Sequence, residues 1–89
     1  MSTITKKIWP EFFEAVASGK KTFELRLNDF DINEGDTIVL QEWDPKTQEY
    51  TGRSIKKSVG SVVRFKPNEL PFWSPEKVEE HGLQVISLL

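Results

Sequence analysis

Four charged side chains, Lys20, Lys21, Glu24 and Arg26, lie within one short segment early in the chain. An arginine offers a planar fork of N–H donors that suits a phosphate or a carboxylate, and a lysine adds a compact positive charge. A carboxylate beside them can orient both cations or accept hydrogen bonds from a ligand's amino group. The segment therefore predicts recognition of an anionic or carbonyl group. The alternative is an ordinary ion pair on an exposed strand.

Apolar residues in the same segment predict the strand that positions these charges. Phe23, Leu25 and Leu27 recur at every second position, which is the period of a β-strand, here over residues 22–27. The apolar set is expected to face the core. The two charged residues between its members are then expected to lie together on the outward face.

A helix is expected directly before this strand, over about residues 10–18. Pro10 suits the first helical turn, and Gly19 suits the left-handed residue that follows a helix. Trp9 precedes the helix, where it is expected either to stack on a nucleobase or to pack in the corner between strand and helix.

The remaining elements predict an α+β fold in a single domain, residues 1–89. Aromatic and β-branched runs favour four more strands, and Pro-Glu near the end favours a short second helix. These expected elements are strands at about 4–9, 37–43, 53–65 and 83–89, and a helix at about 74–82. A hairpin loop is expected over 44–52, and Gly60 is expected to mark a bulge. The whole predicts a small, strongly curved sheet or barrel of about five strands.

Composition limits the chemistry that the chain can perform. The 89 residues include no cysteine and one histidine, so neither a disulfide, a thiolate nucleophile nor a zinc or iron site is expected. No metal or organic cofactor is implied. No apolar run is long enough to span a membrane and no signal peptide is evident, so a cytoplasmic location is expected.

The net charge of −2 hides a local basic stretch. Residues 51–66 contain five basic side chains and no acidic one, namely Arg53, Lys56, Lys57, Arg64 and Lys66. Such a stretch is either a solvated strand face or, if the strand curls toward a binding cleft, a set of phosphate contacts whose strength depends on salt.

The spacing Gly19-x-Lys21-x-x-Glu24-x-Arg26, directly after a helix, resembles the G-x-K-x-x-E-x-R signature of ASCH domains, which are PUA-like β-barrels. The flanking stretches "KIWPEFFEAVASGKKTFELRLND", "GDTIVLQEWD" and "YTGR" are similar to a bacterial and phage family of small stand-alone ASCH-like proteins of unassigned function. The resemblance covers about residues 6–65 and the last strand. It implies a PUA-like barrel with a cleft beside the signature, formed by the helix, the 22–27 strand and the "YTGR" region.

The same resemblance implies that the ligand is RNA or a nucleotide-like molecule. The side chains expected to bind it are Trp9, Lys20, Lys21, Glu24, Arg26 and Arg53. Whether DNA, RNA or a free nucleoside is bound stays open.

Two other functions remain open. Some ASCH relatives hydrolyse the acetyl amide of N4-acetylcytidine with a lysine at the position of Lys21, a threonine nucleophile where Glu24 stands, and a later glutamate for which Glu69 is a loose candidate. A carboxylate is a poorer acyl acceptor than an activated hydroxyl, so no catalytic residue is assigned and the enzyme question stays open. The third function is a protein-interaction module of phage or mobile-element origin, with an apolar patch around Phe72 and Trp73.

Overall fold

Five strands and two helices make up the residues described by the computed structural model, which are 1–65 and 75–89. In chain order the elements are β1 (Thr3–Ile8), α1 (Pro10–Ala17), β2 (Phe23–Leu27), β3 (Thr37–Asp44), β4 (Glu49–Phe65), α2 (Pro75–His81) and β5 (Leu83–Leu88). Each expected helix and strand is present within a few residues of its predicted bounds. The apolar patch expected around Phe72 and Trp73, and the candidate Glu69, lie outside the described residues.

The expected hairpin loop over 44–52 is wrong in length. Strand β3 continues to Asp44 and β4 begins at Glu49, so that the connection is a short turn. Trp43 pairs with Tyr50 across the ladder, and this cross-strand aromatic pair extends the two strands toward the turn.

The sheet has the strand order β1-β3-β4-β5-β2. Strand β1 runs parallel to β3, and the other three pairings are antiparallel. The register shifts between Val59 and Val62, which confirms the bulge expected at Gly60. A Cβ at Gly60 would lie 2.7 Å from the hydroxyl oxygen of Ser87, so a side chain there would clash with β5.

The two edge strands, β1 and β2, are brought back toward each other by the curvature of the sheet. In a flat five-stranded sheet they would lie about 19 Å apart, four strand spacings of about 4.8 Å. Yet Nη2 of Arg26 on β2 lies 2.9 Å from the backbone oxygen of Lys7 on β1. The predicted barrel is thus present as a curled sheet, and its edge strands are not paired within the described residues.

Apolar side chains fill the concave side of this sheet. The buried members of the core are Ile8, Phe13, Val16, Ile32, Ile38, Leu40, Val59, Ile86 and Leu88. Helix α1 joins this core through Phe13 and Val16. Phe12 is instead 48% exposed, although it lies one turn before the buried Val16.

The ends of α1 determine where β2 begins. Pro10 occupies the first turn, and Gly19 adopts a φ of +82°, a left-handed conformation that suits glycine. The chain then reverses, and the amide of Lys21 donates to the carbonyl of Ala15 at 2.9 Å. This contact fixes Lys21 against the helix just before β2.

The predicted orientation of β2 is wrong. Phe23 is 48% exposed, whereas Glu24 is only 2% exposed. Glu24 pairs with Ile86 and Leu25 with Val85, so Glu24 shares the inner face of the sheet with a core residue. Alternation indicates that the two sets face opposite ways, but not which set faces inward. Two neighbouring cations decide this by neutralising Glu24.

Candidate functional site

A cleft of about 620 Å³ opens between the edge strands β1 and β2, which do not pair with each other in the part of the chain that the structure describes. Its walls come from the end of β1, the start of α1, strand β2 and the two residues Asp29 and Phe30 beyond it. The "YTGR" region is not part of these walls, so the predicted position of the cleft is corrected: β1 takes the place that the sequence assigned to residues 50–53.

At the base of the cleft lies a three-residue ion network, here called the Glu24 cluster: Lys21, Glu24 and Arg26. Nζ of Lys21 lies 2.7 Å from Oε1 of Glu24, and Nε of Arg26 lies 2.8 Å from Oε2. The Glu24 side chain is 3% exposed, whereas the two cations are 23% and 24% exposed. The sequence signature therefore brings three of the predicted residues together.

Donor groups remain available in the Glu24 cluster. Arg26 donates Nε to Glu24 and Nη2 to the Lys7 carbonyl, so its plane is fixed by two contacts while Nη1 has no protein partner within the described residues. Lys21 donates once to Glu24. Because an ammonium carries three donors and a guanidinium five, both cations can bind a ligand without releasing Glu24.

Aromatic side chains border the same cleft. Trp9 and Phe12 are 47% and 48% exposed, and Phe30 is half-buried. The ammonium of Lys21 lies 5.4 Å from the centroid of Phe12, and that of Lys6 lies 3.8 Å from the centroid of Phe30. The cleft thus combines flat apolar surfaces with positive charge.

A second buried carboxylate organises a separate group of residues, here called the Glu42 cluster: Glu42, Thr51, Arg53 and Glu14. Arg53 contacts both oxygens of Glu42, through Nε at 2.9 Å and Nη2 at 2.6 Å, and Nη2 also lies 2.6 Å from Oε1 of Glu14 on α1. Thr51 donates its hydroxyl to Glu42, and the Arg53 guanidinium lies 4.7 Å from the Phe13 ring centroid. Arg53 therefore ties α1 to strands β3 and β4.

Charge in the Glu42 cluster is unfavourable for an anion. Hydrogen bonds from Arg53 and then from Thr51 hold the pKa of Glu42 below its usual value, and the two carboxylates raise the pKa of Arg53. Two carboxylates share one guanidinium, which leaves a formal charge of −1. Arg53 also does not line the cleft, so the structure separates it from the other predicted binding residues.

Other basic residues singled out by the sequence lie elsewhere. Lys20 is exposed and does not line the cleft. Arg64 donates to the carbonyl of Ile32 and to Oδ1 of Asn28, and so fixes the loop after β2. Lys56 and Lys57 lie on β4, which pairs with β3 and β5 and does not contribute to the cleft walls. Lys66 lies outside the described residues.

Several residues of the cleft could not be recognised from local sequence. Lys6, Phe12, Asp29, Phe30 and the carbonyl of Lys7 all contribute to the walls. They lie there only because β1 and β2, which are distant in sheet order, meet across the gap. Phe12 had no local signal either, because only the structure shows that it is exposed beside the buried Phe13.

No group of histidine, aspartate and glutamate side chains in residues 1–65 and 75–89 is arranged to hold a metal ion. In those same ranges, neither helix has the length and apolarity that crossing a membrane requires.

Comparisons with known proteins agree with the fold. The structure is similar to that of hypothetical protein PH0355, with a TM-score of 0.73 and 21% identity over 99% of this chain and 97% of that one. It is also similar to the S128A mutant of ZmASCH from Zymomonas mobilis, with a TM-score of 0.62 and 20% identity over 98% of this chain and 67% of that one. The fold is therefore ASCH-like, as the signature implied.

In sequence, the chain is 34% identical over 77 residues to an uncharacterized 12.9 kDa protein in the GpA 3′ region of Escherichia phage P2. The alignment covers 86% of this chain and 64% of the phage protein, so the chain spans less than two thirds of that relative. Residues 5–70 match the family described as "Domain of unknown function (DUF3850)". The chain therefore belongs to the DUF3850 family and has an ASCH-like fold.

Proposed function

We propose that the cleft beside the Glu24 cluster binds RNA or a nucleotide-like ligand. The observation that carries this proposal is the coexistence of Arg26, held in one plane by Glu24 and the Lys7 carbonyl, with unused donors facing a cleft bordered by exposed aromatic rings. A nucleotide is a flat ring joined to a polar and anionic group, and each half has a counterpart here.

Stacking supplies one half of the recognition. Unstacked bases bind to exposed aromatic faces, and each such contact contributes about 1–3 kcal/mol by alanine substitution. Trp9 and Phe12 offer these faces at the entrance of the cleft. The volume of about 620 Å³ falls inside the usual range of small-ligand sites, about 300–1,000 Å³.

Charge supplies the other half. Lys21 and Arg26 carry two positive charges against the single carboxylate of Glu24, which leaves the cluster at +1. An anionic ligand completes this balance through charge-assisted hydrogen bonds.

A hydrolase acting on an acylated nucleoside or on RNA is the alternative within the same site. Both oxygens of Glu24 already accept hydrogen bonds from cations, which makes this carboxylate better suited to orienting Lys21 and Arg26 than to removing a proton. A protein-interaction module is the third possibility. The expected cytoplasmic location also stays a prediction.

The test is a heteronuclear NMR titration of the labelled protein with a short mixed-sequence RNA and with a panel of nucleosides, at several salt concentrations. Lys21→Ala and Lys20→Ala form a matched pair, since the two lysines are neighbours, the loss of charge is the same, and only Lys21 lines the cleft. We expect shifts around Lys21, Glu24 and Arg26 that weaken with salt and largely disappear in Lys21→Ala alone.

Different outcomes separate the three functions. New product signals during the titration would favour the hydrolase. Equal binding by the two lysine variants would contradict the assignment of the cleft. Absence of any response to RNA and nucleosides would overturn the proposal and favour a protein partner.

A further inference from the structure

We infer that the ligand of the cleft carries a terminal phosphate monoester. This group is found on a free nucleoside 5′-monophosphate and on the phosphorylated end of an RNA strand. The inference rests on the proposed function and specifies which part of the ligand the Glu24 cluster recognises.

The Glu24 cluster offers many hydrogen-bond donors. Each carboxylate oxygen of Glu24 already accepts a hydrogen bond from a cation. Lys21 uses one of its three N–H groups on Glu24, and Arg26 uses one on Glu24 and one of its remaining four on Lys7. When contacts within residues 1–65 and 75–89 are counted, five donors on these two side chains are thus left for a ligand. A ligand that meets them must consist mainly of acceptors, as a phosphate does.

A terminal phosphate matches these donors better than an internal one. A phosphate monoester has three free oxygens and a charge of about −1.5 to −2 near pH 7. A phosphodiester within a strand has only two free oxygens and one negative charge. Because Arg26 is held in place before binding, little ordering of its side chain opposes the contact.

The size of the cleft favours recognition of a single terminal nucleotide over recognition of a phosphate in the middle of a strand. Its volume suits a ligand of about one nucleotide. The aromatic border at Trp9 and Phe12 is then occupied by the base of the same nucleotide.

The experiment measures affinity by calorimetry for four kinds of probe. These are the common ribonucleosides, their 5′-monophosphates, inorganic phosphate, and one short RNA prepared with a 5′-hydroxyl or a 5′-phosphate. We expect at least one monophosphate to bind about tenfold or more tightly than its nucleoside, since charge-assisted bonds are added. We expect the 5′-phosphate RNA to exceed its 5′-hydroxyl form by a similar factor, and inorganic phosphate to bind more weakly than the nucleotide.

Two variants link the preference to the cluster. Arg26→Lys keeps the charge but removes the planar fork, and it should reduce the difference between monophosphate and nucleoside. Lys20→Ala should leave that difference unchanged. An amide spectrum of each variant verifies folding, and Arg26→Lys serves where Arg26→Ala does not fold.

The failure of this inference is distinguishable from failure of the proposed function. Equal affinity for nucleoside and monophosphate, or for the two RNA forms, would overturn the inference while leaving nucleotide binding intact. Inorganic phosphate bound as strongly as the nucleotide would instead overturn the proposed function, and with it the inference that rests on it, because the base would then contribute nothing. No binding of any nucleoside, nucleotide or RNA would overturn both.

Discussion

The Glu24 and Glu42 clusters are built from the same parts and differ in what surrounds them. In each, a carboxylate that is 2% exposed lies on a strand and receives hydrogen bonds from an arginine. Glu24 has two cations, a surplus of positive charge and an open cleft. Glu42 has one cation, which it shares with Glu14, and a surplus of negative charge. A buried ion pair alone therefore does not identify a binding site. The net charge of the cluster and the size of the space beside it do. Arg53 also keeps Nη1 without a partner in the described residues, but it borders a space of only about 300 Å³ in a cluster of net negative charge.

The same difference suggests a division of roles. Arg53 joins α1 to the sheet and lies over the Phe13 ring, so its contacts hold two elements together although about half of its side chain is exposed. Arg26 joins the two sheet edges and keeps donors for the cleft. We therefore expect substitutions in the Glu42 cluster to affect mainly stability, and substitutions in the Glu24 cluster to affect mainly ligand affinity.

The largest effect on stability is expected from Arg53→Ala. This change removes the only cation that contacts Glu42 within the described residues and leaves a buried carboxylate uncompensated. The melting temperature should fall by about 5 °C or more, measured by circular dichroism. Arg26→Ala should lower it less, because Lys21 still contacts Glu24. A larger loss in Arg26→Ala than in Arg53→Ala would contradict the division of roles.

Ligand affinity should respond most to Lys21→Ala. Loss of one charge-assisted contact is expected to weaken RNA or nucleotide binding by about tenfold. The neighbouring Lys20→Ala, which removes the same charge outside the cleft, should change the dissociation constant by less than about twofold. Fluorescence or calorimetric titration measures both. Equal losses would mean that only the overall charge matters.

A smaller effect is expected at the aromatic border of the cleft. Trp9→Ala should weaken binding by about fivefold or more through the loss of a stacking surface, while Trp9→Phe should retain most of it. Tyr50→Ala is the matched control, since Tyr50 is 58% exposed and lies near Arg53, away from the cleft. Comparable weakening by Trp9→Ala and Tyr50→Ala would indicate that the two regions do not differ in binding.

The smallest effect is expected from acid acting on the Glu42 cluster. The pKa of Glu42 is lowered in the folded protein, chiefly by the hydrogen bond from Arg53, so its contribution to stability is present at neutral pH and is lost as pH falls through the folded value. Glu42→Gln should reduce stability at pH 7 and flatten its decline below about pH 4.3, the ordinary glutamate pKa. Denaturant unfolding at several pH values measures this.

Asp36 adds a second contribution to the pH dependence of stability in that experiment. Backbone amides of Ser2 and then Asn33 lower its pKa, so a second, similar decline should persist in Glu42→Gln. Parallel pH dependence in the parent and in Glu42→Gln would contradict the role assigned to Glu42.

Single residues in the sequence were sufficient to predict the helix ends and the bulge. Pro10 and Gly19 marked the ends of α1, and Gly60 marked the bulge in β4. Pro10 and Gly19 act through the conformational limits of single residues, which do not change with tertiary context, whereas Gly60 is required by the close approach of Ser87 on β5.

The signature also placed Lys21, Glu24 and Arg26 together. Glu24 and Arg26 share a face because they are i and i+2 residues of a strand, whereas Lys21 precedes the strand and is held by its contact with Ala15.

Features that depend on contacts between residues distant in sequence could not be predicted from local patterns. The inward direction of Glu24 depends on the cations that neutralise it, and the apolar alternation of Phe23 and Leu25 pointed the other way. Arg53 was expected in the cleft because it follows "YTG" in the sequence. Its actual place depends on Glu42, which β3 supplies from across the sheet ladder and which no local pattern links to Arg53.

We expect the Glu24 cluster to bind ligand and the Glu42 cluster not to bind it. The most direct test is to follow the side-chain Nε–H signals of Arg26 and Arg53 in one NMR titration with a short 5′-phosphorylated RNA. Both arginines donate Nε to a glutamate, so each is the internal control for the other. We expect the Arg26 signal to shift in proportion to bound RNA while the Arg53 signal stays in place. A shift at Arg53 with none at Arg26 would contradict this expectation.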